Sequence, residues 1–121
     1  FLDYERRCVC VSILIFKEIR MTPIHLPHFF EQALAQPWQE VPIAQVDNYQ
    51  WRMIYALGEY PWHQHDERDD CFWVLKGCFG VALPEGVVQI CAGDMFVVPR
   101  GVRHRTFSAD GAYVLLFEPI A

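Results

Sequence analysis

Positive charge is scarce in this chain of 121 residues: ten lysines and arginines face fifteen aspartates and glutamates, for a formal net charge of −5. Without a basic stripe there is no electrostatic footprint for a phosphate backbone, so nucleic acid is not an expected partner. Long apolar runs are missing as well. No stretch approaches the ~20 residues of a membrane-spanning helix, and no membrane partner is expected. The longest run, Cys8 to Phe16, is bounded by Arg6-Arg7 and Lys17-Glu18. It is short, lacks a small-x-small cleavage site and does not read as a secretion signal. Solenoid repeats, low-complexity segments and linkers are absent too. The five cysteines, Cys8, Cys10, Cys71, Cys78 and Cys91, have no disulfide-framework spacing. Cys8-Val9-Cys10 is too tight for a tetrahedral metal pair, and no second pair completes it. Cys71, Cys78 and Cys91 fall in apolar, strand-like runs and are expected to be buried thiols in a reducing cytoplasm.

What the chain does have is apolar bulk: 53% hydrophobic and 15% aromatic residues, with 21% charged. That suits one well-filled domain, with no room for two independent cores. A chain of this length does not need a metal merely to fold, so a metal here would be functional. Residues 1–20 stand apart as an N-terminal extension, because Met21-Thr22-Pro23 is a plausible start. Within the extension, Cys8 to Phe16 is β-prone and could pair with a sheet edge. Residues 21–121 form the expected single domain. Only Pro27 to Gln36 has helical character, with apolar residues at three-and-four spacing and Pro37 to stop it.

From Val41 onward the signals are strands and turns. Strands are expected over Ile43–Val46, Gln50–Leu57, Cys71–Lys76, Phe79–Leu83, Val87–Cys91, Met95–Val98, Arg103–Phe107 and Ala112–Glu118. Their separators include Lys76-Gly77, Pro84-Glu85-Gly86, Ala92-Gly93-Asp94, Pro99-Arg100-Gly101 and Ala109-Asp110-Gly111. Many short strands at this spacing indicate an all-β sandwich or barrel with a short N-terminal helix.

One polar cluster interrupts the apolar pattern: Trp62-His63-Gln64-His65-Asp66-Glu67-Arg68-Asp69-Asp70. In an extended strand His63 and His65 project to the same side, close enough for both imidazoles to reach one ion. A carboxylate on that side would add an anionic ligand. Asp70 and Asp69 are the candidates, and alternation puts only one inward. If Phe72 and Val74 face the interior, Asp70 goes with them. His104, just after a Pro-x-Gly turn, is a third candidate imidazole.

Two spaced motifs carry a family resemblance. The first is Gly58, then His63-Gln64-His65, Asp70 and Gly77. The second is Gly93, Pro99-Arg100-Gly101, His104 and Ser108. With the wording "FWVLKG" and "GDMFVVPRGVRHR", the chain resembles small single-domain bacterial cupins, some of them labelled mannose-6-phosphate isomerase-like. The resemblance implies a cupin double-stranded β-helix, or jelly-roll barrel, with metal ligands at His63, His65, Asp70 and His104. Three features depart from the family pattern: four rather than five residues between Gly58 and His63, Asp70 where the family has glutamate, and Ser108 where it has asparagine.

Three imidazoles and a carboxylate leave two positions of an octahedral ion open, which suits Fe, Mn, Co or Ni, whereas Zn prefers four ligands. Oxygen activation or Lewis-acid isomerisation would follow, with Glu59, Tyr60 or Asp69 as candidate bases; the alternative is a binding module for a sugar or organic acid without turnover. Trp62, Phe72, Phe79, Met95 and Phe107 are candidates for an apolar pocket lining or for ordinary core. Arg52, Arg100, Arg103 and Arg105 raise the idea of a carboxylate clamp, with Arg52 the foremost because it alternates away from Trp51 and Met53. A small-molecule ligand and a homodimer are the expected partners.

Overall fold

The computed structural model describes residues 21–120. The expected extension, with its Cys8–Phe16 strand and the Cys8-Val9-Cys10 pair, lies outside the described residues. A 3-10 turn over Leu26–Phe29 leads directly into helix α1 (Phe30–Ala35). Pro27 in that first turn lacks only an N–H that no helix would use, and the chain leaves the helix at Gln36, just before Pro37. Six strands follow: β1 (Val41–Val46), β2 (Tyr49–Glu59), β3 (Asp70–Leu83), β4 (Gly86–Cys91), β5 (Met95–Val98) and β6 (Arg105–Pro119). They pair antiparallel in the order β1-β2-β6-β3-β4, while β5 takes the N-terminal half of β3. Among the described residues no helix is long and apolar enough to cross a membrane.

Alternation along β2 buries both of its faces. Ile54 and Ala56 join Phe72, Val74, Phe79, Val81, Ile90, Val98, Ala112 and Val114 in the barrel interior. Met53 turns outward and packs with Leu115, Val41 and Ala33 beneath α1, flanked by Trp51 and Tyr55. The Trp51-Met53-Tyr55 face therefore meets the helix, and the barrel is filled from the opposite face. That places Arg52 on the inward side at one end of the barrel, paired with Glu40 at 2.8 Å.

Two expected turns are not turns. Lys76-Gly77 and Ala109-Asp110-Gly111 lie inside β3 and β6, which run through them as irregularities of register. Gly77 (φ 85°) and Gly111 (φ 98°) take the left-handed backbone that lets long strands bend around a barrel without breaking their ladder. Ser108 ties the bend together. Its hydroxyl donates to the Cys78 carbonyl at 2.7 Å and accepts from the Gly111 N–H at 3.1 Å.

The hairpin of β3 and β4 turns at Pro84-Glu85 and pairs Leu83 with Gly86, so its register sets Cys78 directly opposite Cys91. These two are joined by a disulfide, with Cα atoms 4.0 Å apart. The expectation of buried thiols is corrected for both, and their support for a reducing compartment goes with it. Only Cys71 remains a free thiol among the described residues, and burial pushes its pKa up. Replacing Cys78 and Cys91 together by serine is expected to lower the unfolding free energy by about 3 kcal/mol, because the bridge closes a loop with a sequence separation of 13. Urea denaturation without reductant checks this. An unchanged midpoint would show that the bridge does not constrain the unfolded chain.

Candidate metal centre

The segment between β2 and β3 comes back against the one before β6, and His63 and His104 form an isolated antiparallel bridge there. Each donates its N–H to the carbonyl of the other at 2.9 Å. Their imidazole rings lie 4.4 Å apart, with the His65 ring 5.0 Å from that of His63. Asp70 opens β3 on the inner side, in step with Phe72 and Val74, so of the two candidate carboxylates it is Asp70 that faces the histidines. Asp69 faces away and accepts a hydrogen bond from the Arg100 backbone N–H at 2.8 Å.

All three imidazoles aim Nε2 at one atom, Asp70 Oδ2: His104 at 2.9 Å, His65 at 3.5 Å and His63 at 4.0 Å. Ligands at 2.0–2.1 Å from one ion stand roughly 2.8–3.4 Å apart at right or tetrahedral angles, so these donors would draw closer together around a common centre. His63, Asp70 and His104 each offer a ligand atom, all within 4.8 Å of one another, and could hold a metal ion.

The far ring nitrogens carry a second level of order. His63 Nδ1 lies 2.9 Å from the Pro61 carbonyl, and His104 Nδ1 lies 2.9 Å from the Val102 carbonyl. A carbonyl can only accept, so each Nδ1 carries the proton, and Nε2 is the atom left for an ion. Nε2 of His104 lies 2.9 Å from Asp70 Oδ2, so without an ion this pair favours the protonated ring. Burial alone would lower the His104 pKa, but the hydrogen bonds to Asp70 and Val102 and the Asp70 charge outweigh it and hold it above 6.5. Burial raises the Asp70 pKa, yet the His104 hydrogen bond and the nearby positive charges bring it below 3.8. His65 is lowered, mainly by burial, and its Nε2 accepts a 3.4 Å contact from the Arg68 guanidinium.

The cluster opens onto a cavity of about 260 Å³. His63, His65, Asp70 and Arg68 form one polar side, Glu40 and Glu118 add two further carboxylates, and Trp38, Ile54, Tyr60, Phe72 and Leu116 supply apolar wall. Trp38 is pinned there by two bonds, its backbone N–H to Tyr55 at 2.9 Å and its indole N–H to Leu57 at 2.8 Å.

Of the apolar residues expected around the ion, only Phe72 lines this cavity. Phe79 is fully buried behind it, in contact with Phe72 and Trp38. Phe107 lies over Gly80, where a Cβ would meet its ring. Met95 is 55% exposed beside Trp73 on the outer face. Trp62 points outward under Arg103 and Arg105, whose guanidinium carbons sit 5.0 and 5.5 Å from its ring. Strand parity and cation–π stacking, rather than hydrophobicity, decided these placements.

The arginine clamp does not assemble, because Arg52 pairs with Glu40, Arg100 with Asp69 and Arg105 with Glu59. Arg52 is absent from the cavity wall, although its partner Glu40 is present. Of the three candidate bases, Tyr60 lines the cavity, whereas Glu59 and Asp69 are held in those ion pairs. Arg68, Trp38, Glu40 and Glu118 were not anticipated. Glu118 was accessible through alternation with Val114 and Leu116 on β6; Arg68, in an irregular segment, left no such signal.

A model of the cupin domain family matches residues 51–117, more than half of the chain. The uncharacterised Bacillus subtilis (strain 168) protein YdbB is 33% identical over 67 residues, 54% of this chain, and the chain spans 59% of that relative's length. A cupin-2 domain protein from Shewanella frigidimarina superposes with a TM-score of 0.76 at 29% identity, over 79% of this chain and 93% of its own. A Neisseria meningitidis protein of known structure does so with a TM-score of 0.65 at 32% identity, over 74% and 94%.

Proposed function

The chain belongs to the cupin family, and from that premise we propose that it binds a divalent transition metal through His63, His65, Asp70 and His104 and presents a small organic ligand to it. The observation that carries the proposal is the convergence of three Nε2 atoms on one Asp70 oxygen at the wall of a cavity. Mixed imidazole and carboxylate donors suit Fe, Mn, Co, Ni or Zn. Such an ion would supply Lewis acidity and, if iron, electrons for oxygen chemistry. The chain's own residues bind and orient. The Pro61 and Val102 carbonyls fix the His63 and His104 tautomers, and the apolar wall lowers the water content around a ligand. A cavity below the ~300–1,000 Å³ of drug-sized sites fits a ligand of few heavy atoms. Oxygenation or isomerisation is the catalytic form of this proposal. Ligand capture without turnover is its alternative.

Metal uptake and pH test the proposal together. In the metal-free protein His104 contributes stability that is fully present below its unfolded value of 6.5 and is lost as pH rises through its raised folded value. Asp70 contributes stability that is present above 3.8 and is lost as pH falls through its lowered folded value. Metal uptake runs opposite to the His104 effect, because the ion must displace that proton. Elemental analysis of tag-free protein is expected to find near-stoichiometric metal at neutral pH, falling between about pH 7 and pH 5. Protein that takes up no metal after reconstitution, or occupancy flat through this window, would refute histidine ligation. With metal bound, oxygen consumption or substrate conversion across diketones, phenolic acids and sugars identifies an enzyme; stabilisation without conversion identifies a binding module.

A further inference from the structure

Of the charged groups in the cavity that the metal site does not use, Arg68 and Glu40 are in ion pairs and, among the described residues, Glu118 is not. On β6, Phe117 pairs with Cys71 of β3, so Glu118 stands one step along, across from Asp70 at the start of β3. Cross-strand neighbours on one face have Cβ atoms about 5 Å apart. Glu118 thus shares the inner face with the candidate metal carboxylate and lines the same cavity.

Its surroundings leave it without a counterpart. The nearby arginines sit closer to other carboxylates, Arg52 to Glu40 at 2.8 Å and Arg68 to Asp70 at 3.7 Å, and reach Glu118 only through their charge. Among the described residues, the Glu118 carboxylate has no hydrogen bond and no ion pair. Partial burial raises its pKa and the Glu40 and Asp70 charges add to this, which together outweigh the opposing charges of Arg68 and Arg52. A half-buried carboxylate with no partner is unfavourable until something brings it a donor. A ligand bearing a hydroxyl or ammonium group would do so, whereas a ligand carboxylate would meet Glu118, Glu40 and Asp70 together.

We propose that Glu118 is the specificity-determining residue of this cavity, selecting small ligands that carry a hydroxyl or ammonium donor beside their metal-binding group and rejecting those that carry a carboxylate there. This rests on the metal-binding proposal for the same site. The arrangement makes Glu118 a contact for ligand and leaves the ion to the histidines and Asp70.

The test uses one chelating group with different short tails: β-alanine hydroxamate (ammonium), propionohydroxamate (methyl) and succinate monohydroxamate (carboxylate). Calorimetric titration into nickel-loaded protein is expected to rank ammonium over methyl over carboxylate, with about tenfold between the first two, the worth of one charge-assisted hydrogen bond. In Glu118→Gln, nickel content stays as in the parent, and the advantage of the ammonium tail over the methyl tail disappears. Glu118→Ala repeats the measurement without the amide, and the unfolding midpoint of each variant reports whether the barrel is intact. A flat ranking in the parent, a preference for the carboxylate tail, or an ammonium advantage that survives both substitutions overturns the proposal while nickel binding still stands. A parent protein that takes up no nickel or other metal refutes the metal site, and this proposal falls with it.

Discussion

Replacing His104 by alanine is expected to abolish metal uptake and to destabilise the metal-free protein, two losses that arise from different contacts. His104 is 1% exposed and belongs to the bridge that holds the His63 segment against β6. Truncation removes a ligand atom, and its cost in affinity should exceed the tenfold to hundredfold typical of losing an outer partner of a metal ligand. It also strands the Val102 carbonyl and the Asp70 carboxylate, whose bonds to the ring are both 2.9 Å. The stability cost is about 3 kcal/mol, combining a cavity with two unsatisfied acceptors. His65→Ala supplies the contrast: this side chain is 32% exposed, so metal affinity should fall while stability changes by less than about 1 kcal/mol. Elemental analysis and urea denaturation of both variants separate the effects. Full metal occupancy in His104→Ala would remove this histidine from the ligand set, and an unchanged unfolding midpoint would contradict its structural part.

Gly77→Ala is expected to be the most damaging conservative change in the barrel, at about 3 kcal/mol or more, although Gly77 touches no candidate ligand. Its φ of 85° is strained for any L side chain, and an added Cβ would meet the Gly111 carbonyl oxygen, which is backbone and cannot swing aside. The Gly111 side of the bend is closed as well, because a Cβ there would meet the Tyr55 hydroxyl. By contrast Gly93→Ala, also at positive φ (93°) but with open space around it, should cost only the backbone strain of roughly 1 kcal/mol. Denaturation midpoints of the two variants make the comparison. Equal losses would mean that the close approach of β3 and β6 at the bend has no energetic weight.

Much of the architecture was legible without coordinates. Strand composition, turn residues and the single helix-like segment specify an all-β sandwich or barrel with a short N-terminal helix, because period-two alternation and turn chemistry are local properties, and the two spaced motifs pointed to the barrel. The polar cluster and His104 were identifiable for a similar reason: alternation puts His63 and His65 on one side of an extended segment, although that segment joins no strand beyond the His63–His104 bridge, and Asp70 follows from the inward parity of Phe72 and Val74. The glycines at 77 and 111 misled, since the same positive φ serves a turn or a bulge, and only the pairing of β3 with β6 distinguishes the two.

What the sequence by itself determined about this protein is therefore local: which segments extend, where they turn, and which face of a strand each side chain takes. Tertiary structure alone decided what those faces meet. The hairpin register of β3 and β4 made a disulfide of Cys78 and Cys91, ion pairing drew Arg52 to Glu40 and Arg100 to Asp69, and the pairing of β6 with β3 brought Glu118 into the cavity across from Asp70. Each of these joins residues from separate strands or loops, and such contacts depend on register and closure, which no single window of sequence contains.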